Sequence, residues 1–150
     1  MSTRGAARGR IIETERLYLR ELKFEDAERL ALVLSDPAAM RFYPAPFSRD
    51  KVEQWIGWNI DNYARYGFGL WAVALQTNDV LIGDCGITMQ EIEGELVPEI
   101  GYHIIGEYCG KGYASEAAKA CISFAFEKRG FDRVVSYMKE DNGPSRRVAE

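Results

Sequence analysis

Glu99-Ile100-Gly101-Tyr102-His103-Ile104-Ile105 runs directly into Gly106-Glu107-Tyr108-Cys109-Gly110-Lys111-Gly112, and from there into Tyr113-Ala114-Ser115-Glu116-Ala117-Ala118. The first segment is short and apolar and reads as a strand. The second carries three glycines, which let a backbone turn tightly and approach a ligand closely. The third opens a helix with Ala114, Ala117, Ala118, Cys121, Ile122 and Ala125 on one side, ended by Gly130. Phe131 to Met138 then reads as another strand. Glu99 to Met138 is therefore a strand–helix–strand unit, expected to be parallel and right-handed. Bare N–H groups at the helix start, together with the helix dipole, favour an anion there, and Lys111 adds a positive charge. A glycine turn before a helix is not specific by itself, since a plain connection has the same composition. The spacing fits neither a Walker loop, which needs Gly-Lys-Ser/Thr, nor the dinucleotide fingerprint, whose third glycine is missing.

Upstream, Arg16-Leu17-Tyr18-Leu19-Arg20 alternates as a strand with Leu17 and Leu19 on one face. Ala27, Leu30, Ala31 and Leu34 follow helical spacing until Asp36-Pro37 stops them. Ser48 is placed to cap a second helix with the apolar face Val52, Trp55, Ile56, Ile60 and Tyr63, ended by Gly67. Gly69 to Leu75 and Val80 to Met89 form a hairpin about Gln76-Thr77-Asn78-Asp79, followed by a charged loop from Gln90 to Pro98. At the far end Asp141-Asn142-Gly143-Pro144 reads as a turn, and Pro144 suits the first position of a last helix near Ser145. The expected order is β-α-α-β-β-β-α-β-α. It forms a single α/β domain over residues 11–150, behind a flexible leader, residues 1–10, that has no signal-peptide pattern.

At 150 residues the chain has room for one self-sufficient core. Its 19 basic and 23 acidic side chains leave a net charge of −4, which argues against a nucleic-acid partner. No apolar run approaches the roughly 18–20 residues that span a bilayer. Three cysteines (Cys85, Cys109 and Cys121) without a CxxC pair argue for a reducing, cytoplasmic setting, and His103 is the single histidine. They leave little material for a metal site or a nucleophilic triad.

Taken together, Glu99 to Ile104 followed by Gly110-Lys111-Gly112-Tyr113-Ala114-Ser115-Glu116-Ala117 resembles the acetyl-CoA signature of the GNAT acetyltransferases. Within that family it most resembles the ribosomal-protein N-terminal acetyltransferases. Thr14-Glu15-Arg16-Leu17-Tyr18-Leu19-Arg20, Ser35-Asp36-Pro37, and Asn142 with Ser145 agree with that subgroup. The likeness covers residues 12 to 150 in order. It implies a mixed, mostly antiparallel twisted sheet whose fourth and fifth strands splay apart between flanking helices. It implies acetyl-CoA as cosubstrate without a metal, held by the backbone of Tyr102, His103 and Ile104, by the turn Cys109, Gly110, Lys111, Gly112, Tyr113, Ala114 and Ser115, and by Asn142. Cys109 departs from the family's usual Gln, Arg or Trp. The family pattern also continues past the position of Glu150 with the rest of a helix and two strands, so the resemblance implies a sheet short of its C-terminal strands.

The implied reaction is direct attack of an amine on the thioester in a ternary complex. An α-amine, with a pKa of about 7.7–8.0, costs about 1 kcal/mol to deprotonate at pH 7, against about 4.6 kcal/mol for a lysine. A protein N-terminus is thus the preferred acceptor. Glu99, at the start of its strand, is the first candidate to accept the amine's proton, with Asp84 on the neighbouring strand as an alternative. His103 is read as lining the strand, not as the base. Ser145 occupies the subgroup's serine position near the coenzyme sulfur, where it would donate a hydrogen bond to the developing thiolate. Trp55 is expected in the core and Trp58 at the acceptor groove. Two rival readings are a CoA-binding module without turnover and a polyamine or aminoglycoside acetyltransferase, for which the acids Glu91, Glu93 and Glu95 would suit a cationic substrate. The oligomeric state is expected to be monomer or homodimer.

Overall fold

Seven strands hydrogen-bond in sequence order into one sheet, and three helices pack on its two faces. The computed structural model describes the backbone of residues 9–140 and 143–149, and the side chains of residues 9–135. The strands are β1 (Arg10–Glu13), β2 (Leu17–Arg20), β3 (Leu70–Leu75), β4 (Leu81–Ile92), β5 (Glu95–Ile104), β6 (Val134–Glu140) and β7 (Gly143–Ala149). The helices are α1 (Ala27–Leu34), α2 (Arg49–Tyr66) and α3 (Tyr113–Glu127). Every pairing is antiparallel except β5 with β6, which the α3 crossover makes parallel. The fold is the mixed α/β arrangement that the sequence implies.

The alternation of each strand divides the core in two. Leu17, Leu19, Trp71, Val73, Cys85, Ile87 and Ile100 point to one face and meet Ala117, Ala118, Cys121 and Ala125 of α3. Those small side chains let α3 lie close on the sheet. Ala72 and Leu81 point to the other face, where Leu30, Val33 and Leu34 of α1 and Val52 and Ile56 of α2 cover them. Each fully buried aliphatic side chain of this kind contributes about 1.5–3 kcal/mol. Ser48 caps α2 by accepting from the Lys51 N–H at 3.1 Å, and Gly67 ends it, as the sequence predicts.

Three expectations are corrected. The segment from Gln90 to Pro98 is not a loop; β4 and β5 form one long hairpin that closes at Glu93-Gly94. Both turn residues have positive φ, 52° and 84°, the geometry of a tight type I′ turn. Glu-Gly is not the usual Asn-Gly signal, and three acids in the stretch, Glu91, Glu93 and Glu95, mimic a solvated loop. The helix expected from Ser145 is instead strand β7, antiparallel to β6 with Ser145 opposite Met138. Pairing gives the edge of β6 hydrogen-bond partners, and Pro144 is tolerated because β7 lies at the sheet edge. At the other end Arg10, placed at the close of the expected leader, opens β1. Its guanidinium bonds Gln76 at 3.0 Å and lies 3.8 Å over the Tyr18 ring.

Candidate functional site

β5 pairs with β4 along its full length, but with β6 only at Glu99↔Val135 and Ile100↔Ser136. From Gly101 onward the two parallel strands part. Gly101, Tyr102, His103 and Ile104 then run along the wall of a cleft of about 1050 Å³. This is the splay implied by the resemblance. Beyond Ile105 the chain makes a short 3-10 turn, Gly106–Tyr108, and reaches the start of α3 through Gly112. Gly112 sits at the helix N-cap in the left-handed region, with φ 85°, and no side chain caps the helix there. The first-turn N–H groups of a 15-residue helix therefore face one end of the cleft with the positive end of its dipole.

Glu116 lies in that same first turn, where a negative charge would oppose a bound anion. It is tied up instead. Its carboxylate accepts from Thr14 Oγ1 at 2.5 Å, the Arg16 N–H at 3.0 Å and Arg16 Nε at 2.7 Å. Burial pushes the Glu116 carboxyl up, but these hydrogen bonds and the Arg16 charge outweigh it and hold it below the ordinary carboxylate range. Arg16 also donates to the Lys111 carbonyl at 3.1 Å and lies 4.4 Å over the Tyr113 ring. One guanidinium thus braces the turn, and together with Lys111 it sets positive charge beside it.

The other end of the cleft is aromatic and acidic. Asp84 on β4 is fully buried and faces His103 across the β4–β5 register. Its Oδ1 is 2.9 Å from His103 Nδ1, and its Oδ2 accepts from Trp55 Nε1 at 3.1 Å. His103 Nε2 lies 2.8 Å from the Tyr43 hydroxyl. Trp55 packs edge-on to both His103 and Phe47, and against Trp58, which is 41% exposed at the mouth. Burial, then the negative charges of Asp84 and Glu99, push the Tyr43 phenol up to about 12.

Of the residues singled out in the sequence, Glu99, Tyr102, His103, Ile104, Cys109, Gly110, Gly112, Tyr113, Ala114 and Ser115 all line this one cleft. Lys111 contributes its carbonyl to the Arg16 brace, and its side chain is not part of the wall. Asn142 lies outside the described residues, and of Ser145 only the backbone, in β7, is described. Trp58 stands at the groove as expected. Trp55 is only half-buried and joins the polar network, where the sequence placed it in the core. Tyr43, between two prolines' reach and without periodicity, carried no sequence signal. Among the described residues no three His, Cys, Asp or Glu side chains converge as metal ligands, and no helix is long and apolar enough to cross a membrane.

A model of the acetyltransferase (GNAT) domain family matches residues 16–150. A Bacillus subtilis relative named uncharacterized protein YkkB is 36% identical over 138 residues, covering 91% of this chain and 80% of its own length. The crystal structure of a GNAT-family acetyltransferase from Bacillus anthracis superposes with a TM-score of 0.73 at 28% identity, covering 87% of this chain and 75% of that one. A putative ribosomal-protein-serine acetyltransferase from Vibrio cholerae gives a TM-score of 0.67 at 25% identity, covering 87% and 75%.

Proposed function

The chain belongs to the GNAT family and is an acetyltransferase, and from that premise we propose that it moves the acetyl group of acetyl-CoA to a protein N-terminal α-amine. The observation that carries this reading is the single cleft that joins the two chemistries. One end is the Gly110–Ser115 turn at the start of α3; the other holds the carboxylate of Glu99 among aromatic side chains. The turn suits a pyrophosphate: backbone donors, a helix N-terminus and the nearby charges of Lys111 and Arg16 all favour an anion. The parted stretch Tyr102 to Ile104 suits the extended pantetheine arm, and Asn142 is assigned to a further cofactor contact.

In this reading the amine enters at the aromatic mouth, where Trp58 and Phe42 are exposed. Glu99 accepts the proton that the ammonium must lose before it attacks, directly or through water. The amine attacks the thioester carbonyl within the ternary complex, and no protein side chain is acylated. Ser145 donates a hydrogen bond to the departing thiolate. The acceptor choice rests on two supports: an α-amine is easier to neutralise than a lysine, and the Vibrio cholerae structure of similar fold bears a ribosomal-protein-serine acetyltransferase name. The acidic hairpin tip of Glu91, Glu93 and Glu95 lies outside the cleft wall, which weakens its claim to select polyamines.

The test is thiol release from acetyl-CoA with three acceptors: a peptide with a free N-terminus, spermidine and an aminoglycoside. The peptide is expected to give the highest kcat/KM. A higher value for spermidine or the aminoglycoside overturns the acceptor assignment. CoA binding without thiol release from any of them supports the non-catalytic module.

A further inference from the structure

Amide formation removes two protons from the acceptor nitrogen. A primary ammonium sheds one before it can attack and another as the C–N bond forms. One ends in solvent and the other on the coenzyme sulfur. Glu99, in the reading above, takes only the first.

A second set of groups lies on the same face of β5. Residues of one face recur every second position, so Glu99, Gly101 and His103 share it, and roughly 13 Å separates the first from the last at roughly 3.3 Å per residue. Tyr43 feels the charges of both Asp84 and Glu99, which places its hydroxyl in the field of both.

With Asp84 ionised and the His103 ring neutral, the groups themselves set the direction of each hydrogen bond. The Trp55 indole N–H can only donate, so Asp84 Oδ2 accepts. An ionised carboxylate has only acceptors, so Oδ1 takes the His103 Nδ1–H at 2.9 Å. A neutral imidazole that carries its proton on Nδ1 has a lone pair on Nε2, and the Tyr43 hydroxyl, 2.8 Å away, donates to it. The phenol keeps its proton at neutral pH, since its pKa is pushed up to about 12. Glu99 on β5, and Asp36 and Arg41 on the segment after α1, are the other charged residues lining the same cleft, while α2 presents the uncharged Trp55 and Trp58.

We propose that Tyr43, His103 and Asp84 form a proton relay that removes the second proton as the C–N bond forms. The nitrogen's proton passes to Tyr43 Oη while the phenol's own proton passes to His103 Nε2, leaving an imidazolium paired with Asp84. The C–S bond breaks with its electron pair on sulfur, and the imidazolium returns the proton through Tyr43 to that thiolate. Charge balances throughout: the nitrogen loses the positive charge it gains on attack, the imidazole carries it, and the thiolate neutralises it. Tyr43 is the catalytic residue, and His103 and Asp84 are positioning residues that act through it. The inference rests on the acetyl-transfer reading.

His103 is the only histidine of the chain, so imidazole nitrogen NMR of the intact protein reads it without ambiguity. The neutral ring is expected to carry its proton on Nδ1, and Tyr43→Phe is expected to shift the Nε2 signal and spare the Nδ1–H. With acetyl-CoA and the fastest acceptor of the three, Tyr43→Phe and His103→Gln should each lower kcat by about 100-fold, with the Kd of Tyr43→Phe for CoA within about twofold of wild type. A wild-type Nε2–H tautomer overturns the relay, as does a kcat within about threefold of wild type in both variants. Absence of wild-type turnover with every acceptor overturns the transfer reading and the relay with it.

Discussion

Gly112 is the residue on which the proposed cofactor end of the cleft turns. Its φ of 85° is costly for most side chains, and a Cβ there would stand 3.3 Å from Arg16 Nη2. Asn and Asp tolerate this region better than other residues, so they separate strain from charge. Gly112→Asn and Gly112→Asp should fold alike, while the aspartate places a negative charge where the helix start favours an anion. Calorimetric titration with CoA should show the aspartate variant at least about tenfold weaker than the asparagine variant, a difference of about 1.4 kcal/mol. Equal affinities would remove the pyrophosphate from this turn. The turn at Gly112 was legible in the sequence, because glycine spacing before an alanine-faced helix has a physical reason. The contact of Tyr43 with His103 was not, because the two are 60 residues apart and the neighbours of Tyr43 show no pattern.

At the scale of elements, one missed turn explains the missed pair. The hairpin closes with Ile92 opposite Glu95. Eight residues back from Ile92 is Asp84, and eight on from Glu95 is His103, so the register alone sets the two opposite each other. A turn read at Glu93-Gly94 makes this visible; three acids read as a solvated loop hide it. Asp84 is also the lone charge in an otherwise apolar strand segment, and His103 the lone imidazole of the chain, so the register alone brings the two together. A second inter-element tie is the clamp of Glu116 on α3 by Thr14 and Arg16 before β2. A carboxyl whose folded pKa is depressed adds stability above its unfolded pKa of about 4.3. That stability is lost as pH falls through the folded value. Thermal melts of Glu116→Gln should therefore show a lower Tm than wild type at pH 7. The gap should shrink as the pH is lowered below about 4.3, and for a partly exposed pair it should correspond to no more than about 1 kcal/mol. A gap that stays constant with pH would show that the charge of Glu116 does not hold these elements together.

Across the whole molecule, the order from β2 to β6 follows from periodicity, caps and breakers, and the parallel β5–α3–β6 unit follows from strand–helix–strand order. The two ends of the sheet did not. β1 is a four-residue strand held by pairing with β2, by Ile11 and Ile12 packed against the core, and by Arg10. β7 is chosen by the open edge of β6 over the helical signal of Pro144. The cleft itself is a product of the assembled sheet, in which the parting of β5 from β6 leaves residues 43, 99, 103 and 112 on one cavity that no local pattern announces. Whether that cavity transfers acetyl groups is read most directly from the mass of a free N-terminal peptide after incubation with the protein and acetyl-CoA. The peptide should gain one acetyl group on its α-amine, with one equivalent of CoA thiol released for each. Binding of CoA with the peptide and thioester both left intact would show that the cavity does not transfer acetyl groups to an N-terminal amine.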